Sequence, residues 1–185
     1  MKRNDLIGIT GNARHGKNAL CDLIAPELDM APVAFADNLK RACSHIFGIP
    51  PNTQHKNAKH DFWNMTPREI WQLFGTEAMR NTFGANIWIE SLYHNTLEPL
   101  LAEEVGCIIT DVRFPNEAQA VKTWGGMLIK VVRPNEPVDL THESERHIES
   151  LEADATIIND GSLDQLKARA LEAILAWRKS GGQNG

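Results

Sequence analysis

A glycine-rich loop near the start of the sequence has the residue types that bind phosphate. Residues 11–18, GNARHGKN, fit the pattern G-x4-G-K, with Asn18 at the position where Ser or Thr is usual. Glycines allow the backbone to curl so that successive N–H groups face one anion, and the helix that follows adds the positive end of its dipole. Lys17 is predicted to reach the β- and γ-phosphates of a nucleotide. The alternative is a glycine-rich turn without a ligand.

Two residues are candidate ligands for magnesium. Asp111 follows an apolar strand predicted at 107–110, and strand ends of a parallel sheet face the ligand crevice. The amide oxygen of Asn18 can ligate a hard cation, although its fit differs from that of a hydroxyl. We predict Mg²⁺ at Asn18 and Asp111, directly or through water, with Asp37 as another residue that could hold it through water. The alternatives are a helix cap for Asn18 and a loop cap for Asp111.

A row of polar side chains follows Thr66, which is predicted to cap a helix that runs to about Phe83. Glu69 completes a capping box with Thr66, and Pro67 lies in the first turn. The row recurs every four residues and consists of Arg68, Gln72, Thr76 and Arg80. Apolar residues lie on the other side, namely Ile70, Leu73, Phe74 and Ala78. The planar fork of Arg binds phosphate oxygens in pairs, so the row is predicted to hold an anionic substrate. A solvated helix surface is the alternative.

Further polar residues lie where predicted strands end. Arg113 follows Asp111 by two residues, and Arg133 ends the fourth strand. Asp37 and Lys40 follow the second strand, where Asp37 either caps a helix or orients a substrate or metal. Arg14 and Arg133 are candidates for clamping phosphates, and Arg14 could instead point to solvent or stack on a base.

The order of elements predicts how these residues are positioned. Strand and helix alternate, which predicts an α/β fold with a five-stranded, mainly parallel sheet flanked by helices. The strands are predicted at 6–10, 32–36, 107–110, 127–132 and 155–158. Helices are predicted after the phosphate loop, at 38–47, 66–83, 86–104 with a bend near Pro99, 116–124 and from a cap at Ser162 to Trp177. Residues 48–65 and 134–150 are predicted to be loops.

Composition excludes several classes of protein. The chain has 185 residues, a formal net charge of −5, 42% hydrophobic residues and 23% charged residues, which fits one soluble globular domain over 1–185. The acidic balance argues against a nucleic acid polymer or a membrane as partner, although a few local cations suffice for a small anion. Three widely spaced cysteines predict neither a disulfide framework nor a zinc site, so we expect buried, reduced thiols in a cytoplasmic protein.

Three further stretches complete a pattern with the phosphate loop. They are FADNLK at 35–40, TPRE at 66–69 with GTE at 75–77 and Arg80, and TDVRFPNEA at 110–118. With these stretches and HESE at 142–145, the chain resembles the phage and bacterial deoxynucleoside monophosphate kinases over about residues 6–170. The GTE and TDVRFPNEA stretches are specific in combination.

The resemblance implies a P-loop kinase that transfers the γ-phosphate of ATP to a deoxynucleoside monophosphate (dNMP), with Mg²⁺, giving ADP and a diphosphate. It implies a region that holds the monophosphate, which we place at about 37–105, and a lid, which we place at about 134–150. If the chain is encoded by a phage, its location would be the host cytoplasm.

Residue assignments follow from the resemblance together with the residues' own chemistry. The predicted catalytic residues are Lys17, Arg68, Arg80, Asp111 and Arg113. The predicted ATP-binding residues are Gly11, Asn12, Ala13, Arg14, His15, Gly16, Lys17, Asn18, Ala19, Arg133, His142 and Glu145, of which the last two match the family's late motif. The predicted dNMP-binding residues are Asp37, Lys40, Arg68, Gln72, Thr76, Arg80 and Trp88, where Trp88 either stacks on the base or packs in the core.

Two rival functions stay open at this point. One is another small P-loop kinase, acting on a ribonucleotide or on dephospho-coenzyme A. The other is a non-catalytic nucleotide-binding regulator, which the unusual Asn18 favours. A homodimer is a further option, because Leu92, Tyr93 and Leu97 offer apolar surface that could equally be core.

Overall fold

A five-stranded parallel sheet forms the centre of the protein in the computed structural model, which describes residues 5–137 and 147–181. The strands are β1 (Leu6–Thr10), β2 (Met30–Val33), β3 (Gly106–Val112), β4 (Met127–Val132) and β5 (Ala155–Ile158). Their spatial order is β2-β3-β1-β4-β5, and each neighbouring pair is parallel. The carboxyl ends of all five strands therefore lie at one edge, and the predicted fold class is confirmed.

Ten helical segments have both ends within the described residues. The α-helices are α1 (Lys17–Leu28), α2 (Ala36–Phe47), α3 (Pro67–Gln72), α4 (Asn81–Phe83), α5 (Ile87–Leu92), α6 (Glu98–Ala102), α7 (Pro115–Thr123) and α8 (Leu163–Lys179). The π-helical segments are π1 (Leu73–Arg80) and π2 (Tyr93–Leu97). None of the described helices has the length and apolar character that a bilayer crossing requires.

Helices cover both faces of the sheet. Every residue of β1 is buried, as expected of a central parallel strand. On one face, Ile7 and Ile9 belong to a core with residues of α1 and α8, including Leu20 and Ile174. On the other face, α7 lies so close to β1 that a Cβ added at Gly8 would be 3.0 Å from a methyl of Val121.

The described residues divide into two compact units. The first joins the chain up to Ala34 with the chain from Leu97 onward and contains the sheet. The second is Phe35–Thr96, with its own core around Cys43, Ile49 and Ile70. This unit overlaps the insertion expected at 37–105, whose function stays a prediction.

The helix predicted at 66–83 is continuous but changes its winding. It begins at Thr66 with the predicted capping box, in which Glu69 accepts from the Thr66 N–H at 2.8 Å, and it becomes π-helical at Leu73. Within π1, the indole N–H of Trp88 donates to the Gly75 carbonyl at 3.0 Å. A side chain that takes a helix carbonyl disturbs the regular ladder, which accounts for the wider turns.

The helix predicted at 86–104 is also interrupted. Its middle is π2, directly before α6, which carries Pro99 in its first turn. Proline lacks an N–H and clashes with the carbonyl four residues earlier, which disfavours regular α-winding in the turn before Pro99. The expected irregularity is confirmed, although it lies before Pro99 and takes the form of a π-helix.

The predicted boundaries near the second strand were wrong. The strand was expected at 32–36, but β2 ends at Val33 and Phe35 is already helical, with φ −57° and ψ −34°. Pro32 is tolerated because β2 is an edge strand. Asp37 therefore lies in the first turn of α2, whose N-cap is Phe35. The interpretation of Asp37 as a helix cap was wrong.

Candidate active site

The phosphate loop connects β1 to α1, and two of its residues must be glycine. Gly11 has φ +144°, and a Cβ there would lie 2.4 Å from the carbonyl oxygen of Val131. Gly16 has φ +103°, and a Cβ there would lie 2.4 Å from the Nδ2 atom of Asn159. Both the backbone angle and the space exclude a side chain at these positions. The spacing found in the sequence thus corresponds to a tightly packed turn at the carboxyl edge of the sheet.

Lys17 brings a buried positive charge to this turn. It is the first residue of α1, and its Nζ donates to the carbonyl oxygens of Gly11 at 2.6 Å and Asn12 at 2.9 Å. The first N–H groups of a helix have no partner within the helix and attract anions. The ammonium group and the start of α1 together suit a phosphate group.

Buried polar atoms in the loop fit the same interpretation. His15 Nε2, Asn12 Oδ1 and Thr10 Oγ1 are buried and lack hydrogen-bond partners among the residues that the structure covers. Each such atom costs free energy unless a ligand or water completes its bonding. A nucleotide with its ordered water could satisfy these atoms, so the donor set fits a polar ligand at the loop.

The side chain of Asn12 is hydrogen-bonded to Glu149, a residue distant in the sequence that sequence reasoning missed. Its Nδ2 donates to Glu149 Oε1 at 3.0 Å. Lys130 Nζ also donates to the backbone carbonyl of Glu149 at 3.3 Å. The side chains of Asn12 and Lys130 therefore attach the residues around Glu149 to the phosphate loop and to β4. No local motif around Glu149 indicates this contact, since it depends on the fold.

Asp111 and Arg113 lie beside the base of the loop. The register of the sheet pairs Thr10 with Val112, so the end of β3 is next to the residue that precedes the loop. Asp111 and Arg113 are both half-buried. Their predicted placement at this edge of the sheet is confirmed. The described residues contain no cluster of three or more His, Cys, Asp or Glu side chains arranged to hold a metal.

Glu117 fixes the turn that carries Arg113, and sequence reasoning missed this role. Its side chain is 2% exposed, and its Oε2 accepts from the backbone N–H groups of Arg113 at 2.8 Å and Phe114 at 3.1 Å. The signal was present, because Pro115 with Glu117 two residues later is typical of a helix start. The buried carboxylate orders the backbone between Asp111 and α7.

Other predicted donor-site residues differ in exposure. Asn18 and Arg133 are exposed, and the Arg133 backbone N–H donates to His15 Nδ1 at 3.3 Å. The Arg14 side chain is 82% exposed and lies 3.9 Å from Glu136, which favours its solvent-facing alternative. His142 and Glu145 lie outside the described residues.

The predicted polar row lies in the second unit, along α3 and π1. Arg68 and Gln72 are exposed, whereas Thr76 and Arg80 are half-buried. Thr66 orders the start of this helix, and its backbone N–H and hydroxyl hold the pKa of Glu69 below the usual range of a carboxyl. The expected apolar side is only partly correct, because Leu73 is 48% exposed and Ala78 is also exposed. Ala78 lies within π1, whose wider turns move it out of the register that an α-helix would give it, whereas Leu73 is the first residue of π1.

Two more residues assigned to dNMP binding lie in the second unit. The Lys40 ammonium lies 5.7 Å from the centre of the Trp71 ring, and the electron-rich face of the indole attracts its positive charge. Trp88 is 6% exposed with its indole N–H bonded to Gly75, as the packing alternative expects. Base stacking by Trp88 stays a prediction. Leu92 and Leu97, considered above for a dimer surface, are also buried, so the core alternative is confirmed for both.

The sheet order and the glycine loop with its lysine define the class of P-loop kinases. Solved structures agree with this fold: a shikimate kinase from Aquifex aeolicus shares 14% identity and a TM-score of 0.52, with 92% of this chain and 96% of that chain covered. A shikimate kinase from Acinetobacter baumannii, in complex with shikimate, also shares 14% identity and a TM-score of 0.52, with 95% of both chains covered.

Comparison with sequence relatives identifies the family within the P-loop kinases. The family described as deoxynucleotide monophosphate kinase matches residues 51–170, and the chain belongs to this family. A protein of Acanthamoeba polyphaga mimivirus, named provisionally as such a kinase, is 28% identical over 91% of this chain and 95% of its own length. The deoxynucleotide monophosphate kinase of Enterobacteria phage T4 is 30% identical over 60% of this chain and 45% of its own length. The chain is accordingly a phosphotransferase.

Proposed function

We propose that the protein phosphorylates deoxynucleoside 5′-monophosphates with ATP, giving the diphosphates and ADP. The observation that carries this proposal is the phosphate loop of a chain that belongs to this family, with Lys17 buried at the start of α1 and both loop glycines sterically required. The family supplies the class of acceptor, and the loop supplies the site for the triphosphate donor.

The reaction mainly requires charge compensation. The acceptor is a phosphate anion, so no strong general base is needed, and the difficulty is to bring two anions together. We assign the donor phosphates to the backbone N–H groups of residues 11–19 and to Lys17. Arg113, which the buried Glu117 holds in a fixed turn, is assigned to the charge that develops on the transferred group.

The acceptor is assigned to the second unit. Arg68, Gln72, Thr76 and Arg80 on one helical segment, with Lys40 of α2, offer guanidinium, amide, hydroxyl and ammonium groups that bind a monophosphate. Asp37 of α2 carries a carboxylate and is assigned to orienting the acceptor rather than to its phosphate group. Arg68 and Arg80 are assigned to the phosphate group of the acceptor. The buried ring of Trp88 fixes the carbonyl of Gly75, one residue before Thr76, and so supports the same segment.

Magnesium is proposed at Asn18 and Asp111. Both side chains offer oxygen ligands, which Mg²⁺ prefers, and Mg²⁺ commonly keeps several waters and binds through few protein groups. The ion would neutralise part of the charge on the donor phosphates. We further propose a cytoplasmic location and free nucleotides as partners, in place of nucleic acid polymers or membranes. The proposed assembly is a homodimer, which light scattering would test.

Transfer of labelled phosphate from ATP to a panel of acceptors tests the function. We expect transfer to at least one dNMP, and slower or no transfer to ribonucleoside monophosphates and dephospho-coenzyme A. Faster transfer to one of the latter two would replace the proposed acceptor. ATP binding without any transfer would identify the regulator that Asn18 allows, and the kinase proposal would then be wrong.

A further inference from the structure

Asn159 is a buried polar residue to which the proposed function gives no role. It follows β5 and is 5% exposed. Its backbone N–H donates to the Val132 carbonyl at 2.7 Å, so it is anchored to the end of β4. Its side-chain Nδ2 donates to the backbone carbonyl of His15 at 2.9 Å in a buried hydrogen bond. The end of the sheet thus contacts the phosphate loop through one amide group.

His15 is held at two points. Its carbonyl accepts from Asn159, and its ring Nδ1 accepts from the backbone N–H of Arg133 at 3.3 Å. The ring is 4% exposed. Because Nδ1 accepts a hydrogen bond, the neutral ring carries its proton on Nε2. The residue before Gly16 therefore has little freedom to rotate.

The peptide bond after His15 transmits this restraint to the ligand side of the loop. In a trans peptide, the C=O and N–H groups point in opposite directions. A hydrogen bond that draws the His15 carbonyl toward Asn159 therefore points the Gly16 N–H away from Asn159. The same Asn159 Nδ2 also fills the space beside Gly16, 2.4 Å from where a Cβ would be.

We propose that Asn159 is a positioning residue for the phosphate loop, which it orients through the His15 carbonyl for binding of the ATP phosphates. This inference rests on the proposed use of the loop as the ATP site. Asn159 itself is not expected to touch the nucleotide. Its contribution is to keep the peptide between His15 and Gly16 in one orientation before the phosphates arrive, which lowers the cost of binding them.

Calorimetric titration of ATP and of a dNMP into wild type and Asn159→Ala tests this role. We expect the Kd for ATP to rise about tenfold, which corresponds to the loss of one buried hydrogen bond, while the Kd for the dNMP changes less than twofold. Asp160→Asn is the matched control, because it alters the next residue, whose side chain bonds Arg169 and not the loop. The control is expected to keep the wild-type Kd for ATP. Asn159→Ser, with a smaller loss of volume, replaces Asn159→Ala if the latter is unfolded at the assay temperature.

A second destabilised variant separates positioning from general stability. Ile174→Val removes a methyl group from the buried core formed with α1, away from the loop, so it is expected to lower the urea midpoint while the Kd for ATP stays within about twofold of wild type. An Asn159→Ala protein that binds ATP like wild type, or an Ile174→Val protein that loses as much ATP affinity as Asn159→Ala, would overturn the inference. If wild-type protein itself fails to bind ATP, the proposed donor site is wrong, and this result is distinct from the failure of the Asn159 variants alone.

Discussion

At the scale of single residues, Lys17 places a positive charge at the phosphate loop, where its ammonium group bonds two backbone carbonyls. Replacing it in Lys17→Met keeps most of the side-chain volume but removes the ammonium group and its bonds to Gly11 and Asn12. We expect kcat to fall roughly 100-fold or more, as when one preorganised donor to a transition state is lost. Steady-state assay of phosphate transfer measures this change.

The matched control for Lys17→Met is Lys167→Met. Lys167 pairs with Glu27 on the surface of the same unit, and such pairs contribute little to stability. We expect its kcat to stay within about twofold of wild type. Equal activity of Lys17→Met and Lys167→Met would remove Lys17 from the catalytic site.

The loop glycine Gly11 gives a second prediction at this scale. In Gly11→Ala, the new Cβ meets the backbone oxygen of Val131 at 2.4 Å, and backbone cannot move aside as a flexible side chain can. We expect a loss of roughly 3 kcal/mol in the free energy of unfolding. Gly48→Ala is the control, because Gly48 also has a positive φ, at +70°, but no atom lies within 4 Å of the added Cβ. We therefore expect Gly48→Ala to lose only about 1 kcal/mol in the free energy of unfolding. Urea unfolding compares the two, and equal losses would show that the loop is not tightly packed.

At the scale of the elements, Trp88 and π1 act as one structure. Trp88→Phe removes the indole N–H and leaves the buried Gly75 carbonyl without its partner. We expect a loss of about 1–3 kcal/mol in stability and a higher KM for dNMP, because Thr76 and Arg80 follow Gly75 on the same segment. Urea unfolding and dNMP titrations measure the two effects.

Trp63→Phe is the control for Trp88→Phe. Its indole N–H also donates to a carbonyl, that of Phe47 at 2.9 Å, but this bond is exposed to water. Water can replace the lost donor, so we expect a loss below about 1 kcal/mol and an unchanged KM for dNMP. A Trp88→Phe protein with wild-type KM would show that the winding of π1 does not matter for the acceptor.

Sequence periodicity predicts the elements of this protein better than their winding or their side-chain partners. The five strands, the Thr66 and Ser162 caps and the loop glycines depend on local patterns, and the structure contains all of them. The two π-helices depend on a bond between Trp88 and Gly75 and on Pro99 in a helix, which α-periodicity does not describe. The roles of Glu149 and Asn159 arise from contacts across more than 130 residues, which no local pattern contains.

At the scale of the whole molecule, three buried thiols make stability depend on alkaline pH. Burial raises the pKa of Cys21, Cys43 and Cys107 from the usual 9.0 to about 11. Between pH 9 and 11 the folded protein keeps these protons while the unfolded chain releases them, so stability falls as pH rises through this window. The stabilising contribution is complete below pH 9 and is lost toward pH 11.

The urea midpoint measured from pH 7.5 to 10.5 tests this dependence. Wild type is expected to lose stability steadily above pH 9, whereas a variant with all three cysteines replaced by alanine is expected to start from a lower midpoint and to decline less steeply. The two proteins differ only at the three cysteines, so the difference between the two slopes isolates the thiols. Parallel slopes would mean that the thiols ionise in the folded protein as readily as in the unfolded chain, which is incompatible with the burial of all three.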